Sequence, residues 1–352
     1  MILKESFSKE HIKSLQEKSK RDPVLLERTI YAFGLLEALT KVNMPFVFKG
    51  GTCLMLLMDK PRRLSTDIDI IVTPGTDVDA YIAEASKIFP FKTVEEQKRF
   101  GKNNIEKRHF KFTYDSPINA RPFYILLDIL FEDNHYSEIV EKEIKSEILL
   151  MESESLKAKL PSPNSILADK LTAFAPHTIG ILLNQGKDME VMKQFYDVTS
   201  LLEVFDNYSE ILPTYKAISK AEAEYRGLDH GYEVYLKDSF DAALCIAAKG
   251  KVNPDEYRTY VKGIRDLRGH IYAENYSPEI AALRAPKIMY MIACLLTGES
   301  YEKVVDFTEY ITKQIISPDL ACLSYLRKIN AEAYAYAVKT DEIYSKMAND
   351  KE

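Results

Sequence analysis

The sequence predicts an α+β fold, with a mixed sheet in the first half of the chain and a helical second half. Short apolar runs bounded by glycine and proline fall before residue 160, as strands do. Beyond residue 160 the apolar residues recur at helical spacing. At 352 residues the chain exceeds one typical domain. The division expected is N-terminal helices packing on the core over 1–43, a sheet domain over 44–160 and a helical domain over 161–352.

Residues 7–43 read as helices, with Ser6 or Ser8 as cap and Leu25, Leu26, Ile30, Phe33, Leu36 and Leu39 at helical spacing. Pro45 opens the apolar run 46–48. Gly50-Gly51 turns the chain, Thr52 starts a short apolar helix and Pro61 stops it. Segment 66–73 alternates acid with isoleucine before turning fully apolar, as a strand does on entering a buried sheet. A helix over 76–90 and strands over 108–114 and 123–131 follow, joined through Asp115-Ser116-Pro117. Pro161-Ser162-Pro163-Asn164 reads as a linker into the helical half.

Apolar residues at 46% and charged residues at 28% describe a globular chain. A net charge of −6 opposes a protein that coats nucleic acid by bulk charge, while leaving room for a local basic groove. Cys53, Cys245, Cys294 and Cys322 lie far apart, as reduced core thiols do. With no apolar leader and no stretch read as membrane-length, the expected location is cytoplasmic, with no membrane contact.

Side chains two apart on a strand share a face, so Asp67 and Asp69 project together. Two such carboxylates form a hard-oxygen site suited to Mg²⁺, or to Mn²⁺ in its place. Alone, a D-x-D pair is as readily an exposed strand edge. The Gly50-Gly51-Thr52 turn, 15 to 19 residues earlier, adds backbone without Cβ atoms, a helix N-terminus and a hydroxyl, all suited to phosphate.

At this point the sequence resembles a known family. KGGTCL followed by RLSTDIDI is similar to the AbiEii/AbiGii-type nucleotidyltransferases, toxins of type IV toxin–antitoxin and abortive-infection systems. The pattern is met by Gly50, Gly51, Thr52, Leu54, Arg63, Ser65, Asp67 and Asp69. The resemblance, over roughly residues 30–205, implies a DNA polymerase β-like core with Gly50, Gly51 and Thr52 on a nucleoside triphosphate and Asp67 and Asp69 on metal. Arg63 and Ser65 divide between strand support and phosphate contact. Segment 166–174 looks like the family's lysine motif, which places Lys170 toward the nucleotide. Segment 193–198 looks like its last motif, with Asp197 as the remaining acid, although Gln194 stands where an acid is common. Asp197 then acts as that acid or orients Lys170. Folds of this type add a third carboxylate. Asp128, the one acid in an apolar run, either completes the metal site or pairs with a core Arg or Lys.

The expected reaction is attack of an acceptor hydroxyl on the α-phosphorus of the triphosphate. Basic residues Lys98, Arg99, Lys102, Lys107, Arg108 and Lys111, interleaved with Phe100, His109 and Phe110, suit an RNA acceptor, a tRNA end in particular, or else form a solvated hairpin. An antitoxin protein is the partner implied. A small-molecule transferase of the aminoglycoside type, a protein-modifying transferase and an inactive nucleotide-binding regulator stay open as alternatives.

Overall fold

The computed structural model describes residues 1–97 and 106–349. Two compact units are present, one formed by Met1–Ser162 with Gly269–Glu274, the other by Pro163–Arg268 with Asn275–Glu352.

In the first unit, Ser8 caps α1 (Lys9–Ser19) by accepting from the His11 amide. Asp22 and Pro23 start α2 (Pro23–Lys41). The sheet strands are β1 (Val47–Lys49), β2 (Ile68–Val72), β3 (Thr93–Glu96), β4 (Lys107–Ser116) and β5 (Arg121–Phe131). Helix α3 (Gly50–Leu57) joins β1 to β2, and α4 (Asp79–Ala85) follows β2. The strand order is β1-β2-β5-β4-β3. Only β2 and β5 run parallel; the other neighbours are antiparallel. A separate ribbon pairs β6 (Ile139–Glu143) with β7 (Lys157–Pro161).

Alternation gives the sheet a dry face and a half-exposed one. Phe110, Phe112 and Tyr114 of β4, Ile125, Leu127 and Ile129 of β5 and Ile68 and Ile70 of β2 are buried on the side that takes α2. The intervening residues His109, Lys111, Thr113, Tyr124, Leu126, Asp128 and Asp69 are half-buried. Buried Glu27 registers α2 against the strands. Its carboxylate accepts from the Tyr114 hydroxyl (2.9 Å), the Ser116 hydroxyl (2.8 Å) and the Ile118 amide (3.1 Å). Tyr31, one turn on, stacks on Tyr114 at 3.7 Å.

Several expectations are corrected. The helix after β1 begins at Gly50 itself and ends at Leu57, four residues before Pro61, so the proline is not its stop. The helix expected over 76–90 is confined to Asp79–Ala85. The segment Pro161-Ser162-Pro163-Asn164 is where the chain passes from one unit to the other, but as a single-residue connection: Pro161 ends β7, Pro163 begins α5 (Pro163–Ala173), and Ser162 stands between. Strands β3, β6 and β7 went unread because they are short and rich in charged residues, without the apolar run that marks a central strand.

The second unit packs α5 with α6 (Asp188–Leu201), α7 (Ile211–Arg226), α8 (Tyr232–Ala247), α9 (Pro254–Leu267), α10 (Pro278–Thr297), α11 (Thr308–Ile311) and α12 (Ala331–Asn349). Contrary to expectation, α10 is long and apolar enough to cross a membrane by length and composition. It is apolar all round because it is a core helix, 72% buried over that stretch and packed on α8 and α12. The four cysteines are free thiols, and burial pushes those of Cys245 and Cys294 up to about 12 and about 11.

Two features of the fold are directly testable. Glu27→Ala leaves three donors without their acceptor and should cost about 3 kcal/mol or more in urea unfolding, at ~1–3 kcal/mol per buried unsatisfied group. In the second unit, His177 bonds Asp238 through Nδ1 at 2.7 Å and faces Glu256 through Nε2 at 3.4 Å. The Asp238 hydrogen bond, then that of Glu256, lifts the imidazole from 6.5 to about 10. Its contribution to stability is therefore complete below pH 6.5 and lost as pH rises through about 10. The stability difference between wild type and His177→Gln should shrink across that window when unfolding is measured against pH.

Candidate active site

The site is built where β1 meets α3. Gly50 has φ +80°, and a Cβ there would lie 2.1 Å from Asp69 Oδ2. A Cβ on Gly51 would lie 2.7 Å from both Arg63 Nη2 and Ser65 Oγ. Any side chain at either position would collide with the acidic motif or its leading Arg and Ser. The two glycines thus let the later motif close onto the α3 N-terminus, where the N-cap residue Lys49 makes no side-chain capping bond. The amides and positive dipole end of α3 suit an anion.

Thr52 serves the frame instead of offering its hydroxyl to phosphate. It is fully buried, and its hydroxyl donates to the Asp67 carbonyl at 2.7 Å, fastening α3 to the chain as it enters β2. Arg63 is also buried. Residues 62–64 are braced by the returning segment 269–274: Arg63 bridges Ile271, the Leu64 amide donates to the His270 carbonyl (2.7 Å), and the Tyr272 amide donates to that of Arg62 (2.9 Å).

Strand register brings the charged groups into one row. Lys49 pairs with Asp69, Asp69 with Asp128 across the parallel β2–β5 contact, and Asp128 with His109. Paired residues share a face on strands ~5 Å apart. Among the described residues it is His109 that Asp128 meets, its Oδ1 lying 2.6 Å from His109 Nδ1. Asp67, one residue before β2, receives Arg28 Nη2 on its Oδ1 at 3.2 Å. With Asp67 44% exposed, that pair is worth about 1 kcal/mol or less.

Arg28 and the His109–Asp128 bond escaped the sequence reading. Arg28 sits on a helix carrying no motif. His109 could have been found as the polar residue facing Asp128 if the register of two apolar strands had been known.

Among the described residues, no three His, Cys, Asp or Glu side chains are gathered into a group that could hold a metal ion. The donor set nonetheless fits a hard cation by its chemistry. Asp69 and Asp128 are adjacent carboxylates in register, Asp67 precedes them, and Mg²⁺ needs only one or two carboxylates beside water and phosphate.

The basic segment divides. Lys98, Arg99 and Lys102 lie outside the described residues, as does Phe100. Lys107 and Lys111 occupy the half-exposed side of β4 with His109, and the Lys111 ammonium lies 4.4 Å from the Tyr124 ring centroid. Arg108 is on the opposite pleat, committed to Glu96 (2.8 and 3.0 Å) and Asp79 (2.6 Å), and Phe110 is buried. Alternation along the strand therefore removes Arg108 and Phe110 from a shared nucleic-acid surface with Lys107 and Lys111.

Lys170 of α5 and Asp197 of α6 lie in the second unit, both buried. Lys170 Nζ is 3.3 Å from Asp197 Oδ2 and donates to Gln194 Oε1 at 3.1 Å. Gln194, where an acid was expected, supplies a neutral acceptor beside the buried Lys170–Asp197 pair.

Comparison with known families decides the broader assignment. A family model described as "Nucleotidyl transferase AbiEii toxin, Type IV TA system" matches residues 35–282. The chain belongs to the AbiEii family. It is a nucleotidyltransferase by that membership. The AbiEii match takes in the glycine turn, both strand aspartates, Asp128, Lys170 and Asp197, and runs well beyond the expected end near 205. Helix α1, the first part of α2, most of α10, and all of α11 and α12 fall outside it. The solved structure of JHP933 from Helicobacter pylori is similar at 14% identity and TM-score 0.44, covering 78% of this chain and 94% of that one. An antigenic nucleotidyltransferase-like protein from Paracoccidioides brasiliensis is similar at 16% identity and TM-score 0.36, covering 56% and 89%. Comparison with curated proteins gives no match.

The Lys170–Asp197 pair should register as coupled stability. Lys170→Met and Asp197→Ala each strand a buried charge and should cost about 3–5 kcal/mol, while the double variant should cost clearly less than their sum in a denaturant cycle.

Proposed function

We propose that this AbiEii-family chain transfers a nucleoside monophosphate from a nucleoside triphosphate to a hydroxyl of an RNA end, acting in the cytoplasm as the toxin partner of an antitoxin protein. The observation that carries the reading is the closure of Gly50-Gly51 onto Asp69, Arg63 and Ser65, which sets a helix N-terminus beside the Asp69–Asp128 row. A phosphate-binding end and adjacent carboxylates are what a phosphoryl-transfer site requires.

In this reading the α3 amides and Arg63 hold phosphate oxygens, and Ser65 lies within the same cradle. Asp67, Asp69 and Asp128 are the residues that would hold Mg²⁺. When bound, that ion neutralises charge on the triphosphate and acidifies the attacking hydroxyl. The acceptor oxygen forms a bond to the α-phosphorus, the bond to the β-phosphate bridging oxygen breaks, and pyrophosphate leaves with that electron pair. Asp128, kept in place by His109, accepts the hydroxyl proton. Lys107, Lys111 and Tyr124 share the half-exposed side of the sheet with Asp128, and a cation with an aromatic ring suits an RNA strand through its phosphates and bases. Lys170 is paired with Asp197.

Incubation with Mg²⁺, each α-labelled nucleoside triphosphate and total cellular RNA should move label from one nucleotide into a discrete RNA band. Asp67→Asn and Asp69→Asn should each lower the rate by at least about a hundredfold, the order for loss of one preorganised electrostatic contact, with unchanged melting. Full activity in either variant would remove the paired-aspartate mechanism. Label appearing on protein or a small molecule would replace RNA as the acceptor.

A further inference from the structure

The family match begins at residue 35, yet a side chain upstream of it reaches the candidate site. Glu27 locks α2 to β4 and the following turn through three hydrogen bonds, and the next residue, Arg28, extends to Asp67. The Phe123 ring, its centroid 5.6 Å from Cζ, steadies the guanidinium. One edge of a guanidinium carries Nε–H and Nη2–H side by side, a fork that matches two oxygens of one carboxylate or phosphate. In Arg28, Nη2 meets Asp67, whereas Nε is buried with no hydrogen-bond partner among the described residues. A donor left in that state is costly. The fork is half used, on a carboxylate that is itself half exposed, and an anion offering two oxygens is the better partner.

We propose that Arg28 is a phosphate-binding residue of this site, resting on Asp67 in the nucleotide-free protein and exchanging that carboxylate for a pair of phosphate oxygens when a nucleoside triphosphate binds. The assignment rests on the nucleotidyltransferase reading above. The exchange also releases Asp67 at the moment its negative charge is wanted elsewhere. Arg28 therefore opposes cation binding in the absence of nucleotide and favours nucleotide binding in its presence. A purely structural arginine would not produce these opposite effects, because loosening the site weakens both.

The test is calorimetric and needs no turnover. Mn²⁺ alone, and then a non-hydrolysable nucleoside triphosphate at saturating Mg²⁺, are titrated into wild type, Arg28→Gln and Arg28→Lys, with melting temperature checked for each. Arg28→Gln should bind Mn²⁺ severalfold more tightly than wild type and the triphosphate about tenfold to a hundredfold more weakly, the range for a charged hydrogen bond. Arg28→Lys keeps the charge without the fork, so Mn²⁺ affinity should stay near wild type while the triphosphate weakens by an intermediate factor. Should Arg28→Gln fail to fold, the triphosphate affinity of Arg28→Lys decides. Wild-type triphosphate affinity in the variants, or parallel weakening of both ligands, overturns the role of Arg28 alone. A wild type that binds no triphosphate overturns the reading beneath it as well.

Discussion

The parallel pairing of Ile68–Val72 with Leu127–Phe131 is the constraint on which the first unit depends. A parallel contact inside an otherwise antiparallel sheet places Asp69 opposite Asp128, two carboxylates that nearly sixty residues of chain separate. Antiparallel neighbours on either side then supply Lys49 and His109. The same pairing turns Ile68, Ile70, Leu127 and Ile129 to the dry face, so burial of apolar area and alignment of the acids are one event. A slip of one residue would invert both.

Like charges gathered this closely oppose folding, and the structure answers with specific partners. Asp128 is held by His109, Asp67 by Arg28, and Arg63 is buried against the glycine turn. Half-exposed pairs of this kind are weak, which suits a site that must give up its internal contacts to a charged substrate. Glu27 is different. Fully buried and triply hydrogen-bonded, it belongs to the frame, and it fixes the helix from which Arg28 extends. Rigid support therefore lies one residue from a replaceable contact.

Local chemistry explains which parts of this arrangement were legible beforehand. The glycine pair, the alternating Asp-Ile strand and the long apolar strands announce themselves within a few residues, because backbone sterics and period-two burial are local properties. The charged strands β3, β6 and β7 carry no such signal, and although the apolar length of α10 is a property of its composition, its burial against neighbours such as α8 and α12 is not. The basic segment shows the limit most clearly. Read as a run, Arg108 and Lys111 are equivalent; folded as a strand, they stand on opposite pleats with different partners.

The sequence by itself determined the α+β class, the family and the residues of the central motif, since Gly50, Gly51, Arg63, Ser65, Asp67 and Asp69 lie close enough along the chain for their spacing to carry meaning. Tertiary structure decided what each one touches. It turned Thr52 from a phosphate donor into a brace for Asp67, gave Asp128 a histidine, enlisted Arg28 from a helix without a motif and sealed Lys170 against Asp197. The physical reason is that hydrogen bonds and ion pairs act over a few ångströms in space. Residues dozens of positions apart can form them only after strand register and helix packing have brought them together.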